Sequence, residues 1–141
     1  EEAESLHRLI TEALWPMGAP YDAGRDPRKI TLVVEEMNLS FPVHQLPAGM
    51  RKMEEVCNQG RHLGIEVIGV TQRPNMVSAN FRGNCAVQCV FPLARADDRN
   101  GILKDIGHEY AEQLRTLPPY NYLRCENGSV TLQKTKPPGR K

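Results

Sequence analysis

The sequence predicts an α/β layer fold, with a parallel sheet flanked by helices and a small antiparallel hairpin at its end. Three short β-type runs, at residues 30–34, 65–71 and 85–91, alternate with segments of helical periodicity, as in a parallel sheet under helices. Asn127-Gly128 lies between two later β-type runs and is a strong hairpin signal. The 141 residues, 40% hydrophobic and 25% charged, fit one globular domain.

The first elements predicted are a helix, a loop and a strand. Apolar residues at helical spacing predict a helix over 5–15, which Pro16 is expected to end. Residues 17–29 are rich in Gly, Pro and charge and predict a loop. The run at 30–34 is apolar without alternation, which predicts a strand buried on both faces.

The later elements follow from the same signals. Residues 39–49 carry two prolines and a glycine and predict a loop, whereas 50–61 predicts a helix with Met50 on its apolar face. Gln72-Arg73-Pro74 closes the strand at 65–71, since proline cannot continue a ladder. The remaining predictions are a short helix or turn near 77–82, a strand at 85–91, helices at 98–106 and 108–117, and hairpin strands at 121–125 and 129–135.

Composition excludes several classes of function. The net charge of +1 rules out a wholesale basic coat for nucleic acid, although local DNA contacts remain open. No apolar run approaches the ~18–20 residues of a membrane span and no signal peptide opens the chain. These features predict a cytoplasmic protein with no membrane segment.

The cysteines do not predict a metal or thiol site. Cys57, Cys85, Cys89 and Cys125 form no CxxC pair and have no histidine at zinc-finger spacing. Cys85 and Cys89 lie too far apart along a predicted strand to share a metal easily. Buried apolar cysteines in a reducing compartment are the expectation.

Three segments could carry chemistry. Glu35-Glu36 follows the strand at 30–34, where open α/β sheets bind ligands. Gln72 follows the next strand and could position a water or sense a phosphate, since its amide both donates and accepts. Arg61 precedes that strand and could act as an arginine finger. Each has a simpler explanation: solvated strand exits for the glutamates and Gln72, and a helix-capping cation for Arg61.

Together these segments resemble the C-terminal half of the motor domain in the FtsK–HerA superfamily of DNA-pumping ATPases. In that family a Walker B strand ends in an acidic pair, followed by a helix, an Arg-x-x-Gly-Ile-like turn and a strand ending in Thr-Gln-Arg-Pro. Here the turn runs from Arg61 to Ile65 and the last motif is 71–74. The resemblance covers about residues 28–135.

The resemblance implies a partial RecA-like P-loop NTPase core over residues 1–136, followed by a basic tail at 137–141. It implies ATP and Mg²⁺ as cofactors. Glu36 would polarise the attacking water, Glu35 would hold the magnesium shell, Gln72 would sense the γ-phosphate and Arg61 would act in trans. Family members usually carry aspartate at the position of Glu35, so the longer side chain affects the metal geometry.

The resemblance also implies an ATP-driven translocase of double-stranded DNA that assembles as a homo-hexamer. The loop at 39–49 lies where family members face a DNA channel, and His44, Arg51 and Lys52 are the expected phosphate contacts. A solvated loop is the alternative. The biological process stays open among viral genome packaging, conjugative transfer, chromosome segregation and end resection.

One motif of a nucleotide motor is missing. The phosphate cradle G-x-x-x-x-G-K-[ST] needs a Gly-Lys pair, and none of the 11 glycines precedes a lysine. We therefore expect these residues to be the C-terminal portion of a longer motor with its P-loop upstream. The alternative is a degenerate ATPase partner, or a non-catalytic α/β interaction module.

Overall fold

The computed structural model describes residues 1–25, 28–44, 46–47, 51–137 and 139. The chain divides into two compact units, Glu1–Asn84 and Cys85–Lys141. Each unit has its own sheet, with two strands in the first and three in the second. All the candidate site residues belong to the first unit.

The first unit begins with a helical segment longer than predicted. Helix α1 (Glu2–Leu9) passes through a π-helical turn (Ile10–Leu14) into helix α2 (Trp15–Asp22). The prediction that Pro16 ends the helix, with a loop from residue 17, is therefore wrong. Pro16 lies in the first turn of α2, directly after the π-helical turn, and Pro20 lies inside α2, so neither proline ends the helical segment.

The parallel pairing in the first unit confirms the prediction for the first two strands. Strands β1 (Ile30–Val34) and β2 (Ile65–Gly69) are parallel, with Ile30 opposite Ile65 and Val34 opposite Gly69. The predicted helix start at Met50 lies outside the described residues. The surrounding elements are helix α3 (Met37–Ser40), helix α4 (Lys52–Gln59), 3₁₀ turns at Gly60–Leu63 and Pro74–Met76, and helix α5 (Ala79–Asn84).

One face of this sheet is covered and the other is exposed. A Cβ atom on Gly69 would lie 2.7 Å from the Phe81 ring and 3.1 Å from Met37, so this side is closely packed. On the other side, Val33 is 58% and Ile68 48% exposed. The prediction of burial on both faces is wrong for the described chain, because no described element covers this second face, on which Thr31 and Glu66 are also exposed.

The second unit differs from the prediction in its strand pairing. Strand β3 (Val87–Val90) does not join the parallel sheet but pairs antiparallel with β4 (Asn121–Glu126), which pairs with β5 (Ser129–Lys134). Between them lie helix α6 (Ala96–Ile106), a 3₁₀ turn at His108–Tyr110 and helix α7 (Ala111–Arg115). An apolar run indicates a buried strand but does not say which strand is its neighbour.

The predicted hairpin is confirmed. Asn127 and Gly128 both have positive φ, +52° and +74°, as a two-residue type I′ turn requires. One face of this sheet closes the core of the second unit, in which Leu123 is fully buried. The other buried members of that core are Val90, Ile102, Leu103, Ile106, Leu114 and Leu117.

Candidate functional site

The acidic pair stands at the carboxyl end of β1, as predicted, and both side chains are exposed. Glu36 adopts a left-handed backbone conformation, with φ +48° and ψ +50°. This conformation costs a residue with a Cβ atom roughly 1–2 kcal/mol. It turns the chain sharply from β1 into α3, and glycine would adopt it with less strain. A left-handed backbone at a residue with a side chain is an outlier of the kind that clusters at functional sites.

Backbone hydrogen bonds bring the exit of β2 to the acidic pair. The Val70 amide donates to the Val34 carbonyl at 2.8 Å, and the Met37 amide donates to the Val70 carbonyl at 2.9 Å. Val34 and Met37, the residues on either side of Glu35 and Glu36, are therefore both hydrogen-bonded to Val70. Gln72 lies two residues after Val70 and is exposed. It therefore follows the carboxyl end of β2, beside the carboxyl end of β1 that bears the acidic pair. The structure thus brings together three of the predicted residues.

A side-chain hydrogen bond reinforces this junction. The Thr71 hydroxyl donates to the Asn38 amide oxygen at 2.8 Å and accepts the Arg73 amide at 3.0 Å. Asn38 had no predicted role. Its position, a polar residue two places after the acidic pair, could have drawn notice. Its partner Thr71, 33 residues away in sequence, could not be read from a local pattern.

The two segments stay joined beyond the junction. The Val43 amide donates to the Met76 carbonyl at 3.1 Å, and the Ser78 amide donates to the Phe41 carbonyl at 2.9 Å. Arg82 donates to the carbonyls of Pro74 and Val77 at 2.9 and 2.7 Å. The chain that follows the acidic pair and the chain that follows Gln72 are thus fastened together at both ends.

Arg61 is not part of this junction. It lies exposed in the 3₁₀ turn that precedes β2, whereas Gln72 follows the same strand. Four residue steps at a rise of ~3.3 Å make β2 about 13 Å long. Arg61 is therefore at the opposite end of β2 from Gln72 and the acidic pair.

The predicted DNA contacts have different surroundings. His44 is exposed, and Arg51 Nε donates to the Leu46 carbonyl. Lys52 Nζ pairs with the Glu55 carboxylate and lies 4.1 Å from the centroid of the Trp15 ring. The charge of Lys52 thus already has partners within the chain.

The donor set at the acidic pair fits a magnesium ion that is also held by phosphates. Mg²⁺ is commonly bound by one or two carboxylates together with waters and substrate phosphate oxygens. Glu35 and Glu36 offer two exposed carboxylates at one strand exit. Among the described residues, no three His, Cys, Asp or Glu side chains cluster as a metal site. A site formed by this chain alone is therefore not apparent in the described part.

A separate cleft of about 280 Å³ lies in the first unit and contains none of the predicted site residues. Its lining is mostly polar and comes from α4, α5 and the end of α3: Phe41, Glu54, Cys57, Asn58, Asn80 and Asn84. None of the described helices is long and apolar enough to cross a membrane.

Structural comparison relates the chain to P-loop NTPases. The genome packaging NTPase B204 from Sulfolobus turreted icosahedral virus 2, in complex with AMP, is 25% identical with a TM-score of 0.62. The alignment covers 76% of this chain and 52% of that one. The same NTPase in complex with ATP-gammaS and with AMPPCP aligns at 24% identity and the same TM-score, covering 52% and 54% of its length.

The chain therefore spans about half the length of the structures that it matches. No protein-family model matches it, and no curated protein matches it. The mixed α/β fold is similar to an NTPase fold, and the similar structures are complexes with AMP, ATP-gammaS and AMPPCP.

Proposed function

We propose that the chain is the C-terminal portion of an ATP-driven motor that translocates double-stranded DNA, with viral genome packaging as its process. The observation that carries the proposal is the junction of Glu36, in a left-handed conformation, with the exit of β2 that bears Gln72. The similar structures are of a genome packaging NTPase.

The residues at the junction divide the chemistry between them. Glu36 would accept a hydrogen bond from the attacking water and orient it, and Gln72 would contact the γ-phosphate with its amide. Glu35 would hold Mg²⁺, whose chemistry when bound is to neutralise charge on the phosphates. Arg61, at the far edge of the sheet, would serve the nucleotide of a neighbouring subunit in a homo-hexamer.

The phosphate cradle would come from a segment outside this sequence. The sequence has no Gly-Lys pair, and within the described residues neither outer edge of the β1–β2 sheet pairs with another strand. Val33, Ile68 and Val70, which are 58%, 48% and 51% exposed, form an apolar surface on one face of that sheet. A strand and helix that carry the P-loop would pair with this sheet and cover that surface.

DNA contact is proposed for the segment that follows α3. His44 is exposed there, and Arg51 and Lys52 begin the next helix. Because Lys52 is already paired with Glu55 and Trp15, His44 and Arg51 would bear most of the phosphate contact.

A second candidate is a non-catalytic module that binds a separate ATPase subunit. The exposed apolar face of the sheet favours it, because such surfaces mark interaction sites. In that case the acidic pair would have no catalytic role.

Nucleotide binding distinguishes the two candidates. A fluorescent ATP analogue would be titrated against the 141-residue chain and against a longer form that includes a P-loop segment, and DNA-stimulated phosphate release would be followed in both. The motor proposal predicts binding and phosphate release only in the longer form. Failure of both forms to bind would support the non-catalytic module.

A further inference from the structure

The hydrogen bond between Thr71 and Asn38 joins the two segments that would carry the hydrolysis machinery. Thr71 immediately precedes Gln72, and Asn38 lies two residues after Glu36. The bond measures 2.8 Å between Thr71 Oγ1 and Asn38 Oδ1, and both side chains are partly buried. This bond therefore ties the turn that bears Gln72 to the segment that follows Glu36.

The Thr71 hydroxyl is both a hydrogen-bond donor and a hydrogen-bond acceptor. Its hydrogen is donated to Asn38, and its oxygen accepts the Arg73 amide at 3.0 Å. The hydroxyl thus holds the backbone on both sides of Gln72, because it belongs to residue 71 and binds residue 73. The orientation of Gln72 is set by this turn rather than by its own side-chain packing, since Gln72 is exposed.

We propose that Asn38 and Thr71 are positioning residues that hold Gln72 in register with Glu36 for nucleotide hydrolysis. The inference rests on the proposed function. Neither residue need touch the nucleotide. A displacement of about 1 Å at a reacting group can cost on the order of 100-fold in rate, so a single positioning bond can matter for turnover without changing nucleotide affinity.

Among the described residues, no backbone hydrogen bond holds Gln72 itself, so the side chain of Thr71 has a role to fill there. The two bonds at Val70 fix β2 up to that residue. The Met76 amide, which donates to the Arg73 carbonyl at 2.9 Å, and the bonds of Arg82 fix the chain again from Arg73. Between them, Thr71 holds the turn through its side chain. Loss of the hydroxyl would free the segment that bears Gln72 while the rest of the junction stayed intact.

The test uses the P-loop-bearing form and compares Asn38→Ala, Thr71→Val and the double variant with wild type. Thr71→Ser keeps the hydroxyl, and Thr131→Val makes the same chemical change at an exposed position of β5, in the second unit. We expect kcat to fall about 10-fold to 100-fold in each single variant, with nucleotide Kd within twofold. The double variant should be no slower than the slower single variant, and Thr71→Ser and Thr131→Val should resemble wild type.

A second readout needs no activity. In the 141-residue chain, Asn38→Ala should speed hydrogen exchange at the Arg73 amide about 10-fold, although it leaves the acceptor oxygen of Thr71 in place, whereas Thr131→Val should not. Wild-type kcat in the single variants, additive losses in the double variant, or unchanged exchange at Arg73 would each overturn the positioning role.

The two proposals fail in different ways. If Glu36→Gln abolishes hydrolysis while Asn38→Ala and Thr71→Val do not slow it, the proposed function stands and the positioning role is lost. If Glu36→Gln leaves hydrolysis intact, or if wild type does not hydrolyse ATP, the proposed function fails and the positioning role fails with it.

Discussion

Val33 and Ile68 are direct partners in the parallel register of β1 and β2, and each is about half exposed, at 58% and 48%. Paired apolar residues on a sheet are normally covered, because burial of each stabilises a fold by roughly 1.5–3 kcal/mol. Under the proposed function, this face is the surface that the P-loop segment would cover.

The apolar face gives a prediction about stability. Val33→Ser with Ile68→Ser should lower the free energy of unfolding of the 141-residue chain by about 1.5–3 kcal/mol, because each side chain is about half buried, 58% and 48% being exposed. In the longer form the same pair should cost about twice as much, ~3–6 kcal/mol, since both side chains would then be fully covered. Urea denaturation of both forms measures the difference. Equal losses in the two forms would contradict the assignment of this surface.

The closeness of Gly69 to its neighbours gives a second prediction. Gly69→Ala should destabilise the chain by about 1–3 kcal/mol, because the new Cβ would lie 2.7 Å from the Phe81 ring. Gly83 in α5 is the matched control, since its Cβ position is open. Gly83→Ala should stabilise the chain by up to about 1 kcal/mol. A Gly69→Ala variant as stable as wild type in thermal unfolding would show that β2 does not approach α5 as described.

The left-handed backbone of Glu36 gives a third prediction, which concerns stability. Glu36→Gly should raise the free energy of unfolding by about 0.5–1 kcal/mol, because glycine adopts positive φ without strain. Glu35→Gly should instead lower it by about 0.5–1 kcal/mol, since Glu35 does not have positive φ. Chemical denaturation of the two variants side by side measures the contrast. A stability loss in Glu36→Gly would remove the argument from strain.

The position of Arg61 gives a fourth prediction. Arg61→Ala and Glu36→Gln should each abolish hydrolysis in the longer form, yet an equal mixture should recover activity. Random mixing in a ring leaves roughly one interface in four with both wild-type residues. Phosphate release from the mixture, against each variant alone, is the measurement. A mixture as inactive as its components would argue against an arginine supplied in trans.

The sequence predicted the parts of this fold that local patterns control. The runs at 30–34 and 65–71 became parallel neighbours with the acidic pair and Gln72 at one edge, because strand pattern and turn residues are local signals. The Asn127-Gly128 hairpin was equally predictable, since both positions require positive φ.

The remaining features depend on contacts between distant residues. An apolar run does not reveal what covers it, so the exposure of Val33 was not predicted. The antiparallel pairing of β3 with β4 and the bond from Thr71 to Asn38 likewise join segments far apart in sequence. The helix end expected at Pro16 was wrong because proline is only a local signal: the helical segment continues through a π-helical turn and contains both Pro16 and Pro20.

The most direct test of the central claim is DNA-stimulated ATP hydrolysis by the P-loop-bearing form of the protein, with and without Glu36→Gln. Glutamine keeps the size of the side chain and removes the carboxylate. We predict that the variant binds the nucleotide with wild-type affinity and that kcat falls at least about 100-fold, the scale of general-base catalysis. Wild-type kcat in Glu36→Gln would contradict the account, because the acidic pair would then have no part in hydrolysis.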